Sequence, residues 1–192
     1  EHSVEEWVYD YSLADSIPDG AGQNESVDLL AAAVPVRVVE WYQKLIRMVG
    51  WKLSAMAPAS SAISNLIMSD QGKQDVRRSN CCVMDCGRRG VRLYFYQKGL
   101  LFTKRGLEFC DTEERLLFEL EKIWDYYQTC YPGYIPELIY VTGGKRNPLL
   151  EAAITERLEI ECCDWTKLLD NSQEPVRGLI SAEAAGITFW KG

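Results

Sequence analysis

Residues 81–102 read CCVMDCGRRGVRLYFYQKGLLF, and this stretch decides the fold. Two apolar runs flank a short polar segment that contains Asp85 and Gly87. Apolar runs of this length with a glycine-containing segment between them are typical of a β-hairpin. The sequence therefore predicts two antiparallel strands with an acid and a glycine at their tip. A hairpin of this Asp-x-Gly kind can hold a metal-bound phosphate.

Arg88 and Arg89 follow this acid, and the sequence leaves three interpretations of them open. Their guanidinium groups could bind an anion in place of backbone N–H groups. They could instead fill the pocket and block it. The commonest arrangement for charged residues at a hairpin tip is exposure to solvent.

Downstream of the hairpin, strand and helix patterns alternate. A third strand is predicted at residues 101–109 and a helix at 111–130, followed by a strand ending in two glycines at 136–144. A helix at 148–158, a strand at 159–165 and a last helix at 179–190 complete the series. The order β-β-β-α-β-α-β-α predicts an α/β domain with a five-stranded sheet.

Upstream, the patterns predict a smaller β-β-α-β module. Residues 4–13 alternate as in a strand, residues 27–35 form an apolar run, and residues 36–49 have apolar positions at helical spacing. Residues 51–57 (WKLSAMA) are predicted to be the third strand, which ends before Pro58. The predicted domains are this module at residues 1–57, a short helix and linker at 58–80, and the larger domain at 81–192.

The composition excludes several classes of function. The net charge of -7 argues against a general nucleic-acid binder. Seven cysteines without metal-ligand spacing and a single histidine argue against a zinc site and favour reduced, mostly buried thiols. No apolar run approaches the ~18 residues of a membrane span, so direct membrane insertion is not expected. The first residues have neither an initiator Met nor a signal-peptide pattern, and we expect them to be the cut end of a longer protein.

Three segments resemble, in order, the conserved loops of actin-like ATPases. Asp85 to Gly87 resembles the second phosphate loop, residues 139–144 (IYVTGG) resemble the adenosine loop, and residues 184–187 (AAGI) resemble the final connecting helix. The resemblance implies an actin-like, ribonuclease H-like half-domain over residues 81–192.

The upstream module resembles the inserted subdomain of the FtsA and PilM branch of that superfamily. Residues 31–66 (AAAVPVRVVEWYQKLIRMVGWKLSAMAPASSAISNL) follow the PilM pattern of apolar strand and proline, helix, glycine, strand and short Ala/Ser helix. Residues 138–165 also fit this pattern. The chain is thus similar to PilM-like type IV pilus assembly proteins over nearly its whole length. The N-terminal half-domain of such proteins, with the first phosphate loop, is expected to precede Glu1.

The resemblance also assigns nucleotide-binding positions, which are Asp85, Gly87, Arg88, Gly143, Gly144 and Lys145. In the family, the acid of this hairpin lies on the magnesium side of bound ATP, so Asp85 is the metal candidate. The chain departs from the family at Arg88 and Arg89, where small or hydroxyl residues are usual, and it lacks the helical insertion expected near residue 110. ATP and Mg²⁺ are therefore expected at most in the full-length protein, and neither cofactor nor catalysis is expected in this piece.

The function implied by the resemblance is that of a scaffold in type IV pilus assembly or related secretion. Such a scaffold would lie in the cytoplasm, against the inner face of the cell membrane. It would bind the cytoplasmic tail of a PilN-like inner-membrane protein in a groove beside the upstream module, together with other pilus assembly proteins. Trp41 and Trp51 could contribute to an exposed apolar strip there, or could be core residues. The alternatives are an ATPase or kinase of the actin superfamily and an FtsA-like cell-division protein.

Overall fold

The computed structural model describes residues 6–13, 29–69, 74, 76, 79–108 and 112–169. The chain divides into two compact units, residues 1–58 and 59–192. The described strands form two separate sheets, one in each unit.

The second unit contains a five-stranded mixed sheet. Its strands are β3 (Asn80–Cys86), β4 (Gly90–Gln97), β5 (Leu100–Glu108), β6 (Leu138–Thr142) and β7 (Cys162–Asp164). They lie in the order β5-β4-β3-β6-β7. The first three strands are antiparallel neighbours, whereas β6 runs parallel to both β3 and β7. The sheet therefore joins a meander to a parallel pair, and it has the five strands that the sequence predicts.

Short connections fix the meander. Lys98 and Gly99 form the whole loop between β4 and β5, and both have positive φ (49° and 82°). Two consecutive residues of positive φ are the requirement of the tightest hairpin turns, which match the twist of the strands. Phe102 lies at an irregularity of the β4–β5 ladder, because Phe95 pairs with Thr103 and Tyr96 pairs with Leu101.

The parallel half depends on helix crossovers. Helix α3 (Glu113–Cys130) connects the meander to β6 through a short 3₁₀ helix at Pro132–Tyr134, and α4 (Pro148–Leu158) connects β6 to β7. Thr112 caps α3 and Asn147 caps α4, each accepting a backbone N–H with its side chain. The predicted helix at 179–190 lies outside the described residues.

Helices cover both faces of this sheet. Helices α3 and α4 pack on one face, and α2 (Ala59–Met68) packs on the other with the 3₁₀ helix Trp165–Leu168. The adjacent thiols of Cys81 and Cys82 point into the two different cores and are both buried, because alternate strand residues face opposite ways. Helix α2 is thus part of the second unit's core, whereas the sequence analysis grouped it with the linker.

The first unit contains β1 (Trp7–Leu13), β2 (Leu29–Pro35) and α1 (Val36–Met48). The strands pair antiparallel, from Trp7 with Pro35 to Leu13 with Leu29. The third strand predicted at residues 51–57 is wrong, since the structure has irregular backbone from residue 51 to 58. Most of these side chains are exposed and the segment is rich in residues of low strand propensity, so no half-buried face stabilises a strand.

Within the described part of the chain, no helix combines the length and the apolar character that crossing a membrane requires.

Candidate functional site

The parallel pairing of β3 and β6 brings two of the predicted loops together. Asp85 is paired with Thr142 at the carboxyl ends of these central strands. The Asp-x-Gly segment at the end of β3 therefore lies beside the glycine pair that follows β6. The carboxyl ends of neighbouring parallel strands are the usual location of ligand sites in α/β sheets.

Gly143 makes the closest approach between the two loops. Its φ is +97°, and a Cβ atom there would lie 2.6 Å from Asp85 Oδ1 and 2.6 Å from the Cys86 carbonyl oxygen. The backbone N–H of Lys145 donates to the same carbonyl at 3.0 Å. Only glycine satisfies both the backbone conformation and the lack of space, so this residue holds the two loops in contact.

Asp85 is nearly buried at this point, with 8% of its surface exposed. Arg92 lies opposite it on β4, and its Nη1 approaches Asp85 Oδ2 at 3.4 Å. Burial raises the pKa of the Asp85 carboxyl from its ordinary value of 3.8, while the neighbouring Arg92 guanidinium lowers it to a smaller degree. The carboxylate thus has a cationic partner within the protein.

The tip of the hairpin is a tight turn. The N–H of Gly87 donates to the carbonyl of Gly90 at 3.0 Å, which closes the segment between β3 and β4. Arg88 and Arg89 lie in this turn and are both exposed. Exposure is what the surface-charge interpretation predicts, and the binding of an anion by Arg88 stays a prediction.

The second loop has a different surface. Gly144 and Lys145 are exposed, and a Cβ atom on Gly144 would meet no atom within 4 Å. Arg146 turns inward instead. Its guanidinium makes two parallel hydrogen bonds to Glu151, of 2.9 and 3.1 Å, and also pairs with Asp164. A bidentate pair of this kind fixes the path of the loop between β6 and α4.

The sequence indicates Asp85, Gly87 and Gly143 as site residues but not the arginines that contact this region, Arg92 and Arg146. Neither Arg92 nor Arg146 belongs to the positions that the sequence assigns to the site. A signal for Arg92 is present in the sequence, because it lies close after the hairpin turn. Once the length of the turn is known, the strand register places it opposite Asp85.

The described residues do not fit a magnesium ion at Asp85. One carboxylate oxygen faces Arg92 and the other lies against Gly143. Among the described residues there is no group of three or more His, Cys, Asp or Glu side chains that could hold a metal ion. Mg²⁺ requires near-octahedral coordination by oxygen ligands. A carboxylate that is already paired with a guanidinium is therefore a poor ligand for this ion.

Comparison with known proteins identifies the fold. No family model and no curated protein matches the sequence. Solved structures do match. A chain of the PilM-PilN type IV pilus biogenesis complex superimposes with a TM-score of 0.70 at 15% identity, and the match covers 96% of this chain and 66% of that chain. A Bacteroides thetaiotaomicron protein with an actin-like ATPase fold and unknown function matches with a TM-score of 0.52 at 10% identity, covering 100% of this chain and 62% of that chain.

The fold is therefore the actin-like ATPase fold, as the sequence predicts. The mixed five-stranded sheet with helices on both faces is the part of the fold that carries the candidate site. The chain spans less than two thirds of the length of both neighbours, and their low identity supports the fold alone.

Proposed function

We propose that the protein is a PilM-like scaffold of type IV pilus or related secretion assembly, which binds the tail of a PilN-like inner-membrane protein through its first unit. The observation that carries this proposal is the exposed apolar face of α1. The proposed location follows from the partner: the scaffold lies in the cytoplasm, at the inner face of the membrane.

Helix α1 presents its apolar residues to solvent. Trp41, Leu45 and Met48 follow one another at spacings of four and three and so share one face, with Tyr42 beside them. Trp41 is 57% exposed, and no residue of the helix is buried. Trp51, just beyond the helix, is 71% exposed. Both tryptophans are therefore surface residues of the first unit, and an apolar patch of this kind marks an interaction site.

The amino acids on this face suit a peptide partner. Exposed tryptophan, tyrosine and methionine are enriched at the centres of protein interfaces and supply a large contact area. The Trp41 and Tyr42 rings contact each other edge to face with centroids 4.9 Å apart, which gives the face a defined shape. An apolar tail would bind here through these side chains, whereas α1 itself carries Arg37, Lys44 and Arg47 against Glu40 and so does not favour a basic one.

The catalytic alternative lacks comparable support. A phosphoryl-transfer enzyme needs a complete phosphate cradle and metal-bound phosphate oxygens. In this chain, the acid of the hairpin is engaged by Arg92, and the backbone of the second loop packs directly on it. The arrangement stabilises the junction of β3 and β6 and suits a structural element of a scaffold better than a catalytic one.

The experiment is isothermal titration of the full-length natural protein with the cytoplasmic tail peptide of the inner-membrane protein encoded beside it. The test variant is Trp41→Ala, and the matched control is Glu40→Ala on the polar side of the same helix. A tryptophan side chain buries about 150–250 Å². If the exposed 57% of Trp41 becomes covered, its loss costs about 2–3 kcal/mol, or ~30- to 150-fold in Kd.

Unchanged affinity in Glu40→Ala together with a large loss in Trp41→Ala would support the proposal. Circular dichroism on both variants checks that the helix is intact. Absence of binding to the intact protein, or equal effects of the two substitutions, would contradict it.

A further inference from the structure

Among the described strands, β5 is an edge strand. It is the outermost strand of the five-stranded sheet, and within the described residues it pairs with β4 alone. It is also the longest strand of the sheet, at nine residues. The outer side of an edge strand presents backbone N–H and C=O groups, which are the template for adding an extended peptide as a further strand; on β5, the Lys104 carbonyl also accepts a hydrogen bond from Arg105 Nη1 at 3.4 Å.

Two cations flank this edge on opposite faces of the sheet. Lys104 pairs with Tyr94, which faces the α2 core, and Arg105 pairs with Leu93, which faces the α3 core. Both cationic residues are exposed. A strand laid beside β5 would therefore meet one positive charge above the sheet and one below it, at adjacent positions.

Beside the Arg105 face lies an aromatic shelf, which we define as Phe102, Tyr126, Tyr131 and Tyr134. Phe102 of β5 stacks on Tyr134 with ring centroids 4.4 Å apart and contacts Tyr131 edge to face at 5.3 Å. Tyr126 lies 6.0 Å from Tyr131 and is 46% exposed. The other three rings are half-buried. This shelf offers apolar contact area next to the β5 edge, with tyrosine hydroxyls that can hydrogen-bond.

We propose that the β5 edge binds an acidic extended segment of a partner protein, which adds to the sheet as a sixth strand. The segment carries two adjacent acidic residues, one for Lys104 and one for Arg105, and an apolar or aromatic residue two or three positions away that packs on the aromatic shelf. Backbone hydrogen bonds supply sequence-independent affinity, and the two charges and the shelf supply specificity. The site lies in the second unit, whereas α1 belongs to the first.

The charges select the occupant. If β5 paired with β5 of another copy, with the two strands centred on each other, the lysine and arginine of one copy would meet those of the other. This repulsion between like charges opposes such pairing. The same charges attract an acidic strand. The positive edge also contrasts with the net charge of -7 of the whole chain, so its sign is a local feature.

The probe is a capped, fluorescent peptide with two adjacent glutamates, a tyrosine two positions further on and threonines elsewhere. Fluorescence anisotropy measures its binding to the full-length protein. The test variant is Lys104→Glu, and the matched control is Lys122→Glu, an exposed lysine of α3 that pairs with Glu119 and lies over the Phe118 ring. Because a favourable cross-strand charge pair becomes a repulsive one, we expect roughly tenfold weaker binding for Lys104→Glu and no more than a twofold change for Lys122→Glu.

A charge exchange separates a specific pairing from loss of fold. A second peptide with lysines in place of the two glutamates should bind Lys104→Glu/Arg105→Glu and not the natural protein. Hydrogen–deuterium exchange at saturating peptide should show new protection of alternate amides of β5. A third peptide, with proline at its centre, should bind weakly because it cannot complete the ladder.

Three results would overturn the proposal. These are equal binding of the glutamate and proline peptides, equal weakening by Lys104→Glu and Lys122→Glu, and protection of β5 only through concentration-dependent dimerisation of the protein. The Trp41→Ala variant should bind the acidic peptide normally, so failure of the pilus-scaffold proposal leaves this test interpretable.

Discussion

Replacing Gly143 by alanine should damage the second unit severely, whereas the same change at its neighbour Gly144 should not. Gly143 has φ of +97°, and a Cβ atom there would lie 2.6 Å from Asp85 Oδ1 and 2.6 Å from the Cys86 carbonyl oxygen. An L-residue at positive φ costs about 1–2 kcal/mol. Forcing an extra carbon against backbone in a packed site costs about 1–3 kcal/mol more.

The expected loss for Gly143→Ala is therefore about 2–5 kcal/mol in the free energy of unfolding. Since domains of this size are stable by about 5–15 kcal/mol, such a loss is a large fraction of the total. Gly144→Ala is the control, because a Cβ atom there meets no atom within 4 Å and the φ of Gly144 is not in the left-handed region. Its effect should stay within about 0.5 kcal/mol.

Urea denaturation of both variants measures these losses, and hydrogen exchange of the β3 and β6 amides assigns them to the second unit. The reasoning would be refuted by a Gly143→Ala variant within about 1 kcal/mol of the natural protein, or by equal losses in the two variants. Either result would mean that the loops around Asp85 rearrange freely, which contradicts a site held by close packing.

Two further predictions concern ionisable groups of the second unit. Burial raises the pKa of Asp85 in the folded protein above its value in the unfolded chain. The folded state therefore favours the neutral carboxyl, and this contribution to stability is complete below the unfolded pKa and is lost as the pH rises through the folded pKa. Asp85→Asn should therefore gain stability relative to the natural protein as the pH rises across this range. Urea titrations at several pH values measure the difference in the free energy of unfolding between the two proteins. A difference that is constant or falls with pH would contradict the argument. Burial also raises the pKa of the Cys81 and Cys86 thiols to about 12. Mapping by mass spectrometry after brief alkylation near neutral pH should find the exposed Cys130 modified and these two cysteines unmodified until urea is added; rapid labelling of Cys81 in native protein would show that the core opens readily.

The sequence by itself determined the architecture of the second unit. The two-residue turn at Lys98 and Gly99, the glycine pair after residue 142 and the alternation of strand and helix periods are local signals, and together they specify a meander followed by crossovers. They were sufficient because turn geometry and apolar spacing depend on residues that are near one another in the chain. In the sequence, only the resemblance to actin-like ATPases assigned Asp85 and Gly143 to one site, and the parallel pairing of β3 and β6 brings them together in the structure.

Local signals failed where stability depends on distant partners. Residues 51–57 have an apolar pattern compatible with a strand, but a strand forms only when another strand or a core is there to receive it, and the structure has irregular backbone at this segment. Likewise the exposure of Trp41 and Trp51 could not be read from their spacing, because a helical stripe has the same pattern whether it faces a core or a partner.

The character of the candidate site was decided by tertiary structure alone. An Asp-x-Gly hairpin is compatible with a metal-bound phosphate, and only the register between β3 and β4 places Arg92 against Asp85. That register depends on the exact length of the turn, and a slip of one residue would turn Arg92 to the other face of the sheet. A carboxylate is available for a metal only if no cationic side chain is paired with it. That pairing depends on distances between strands, which cannot be read from the order of residues along the chain.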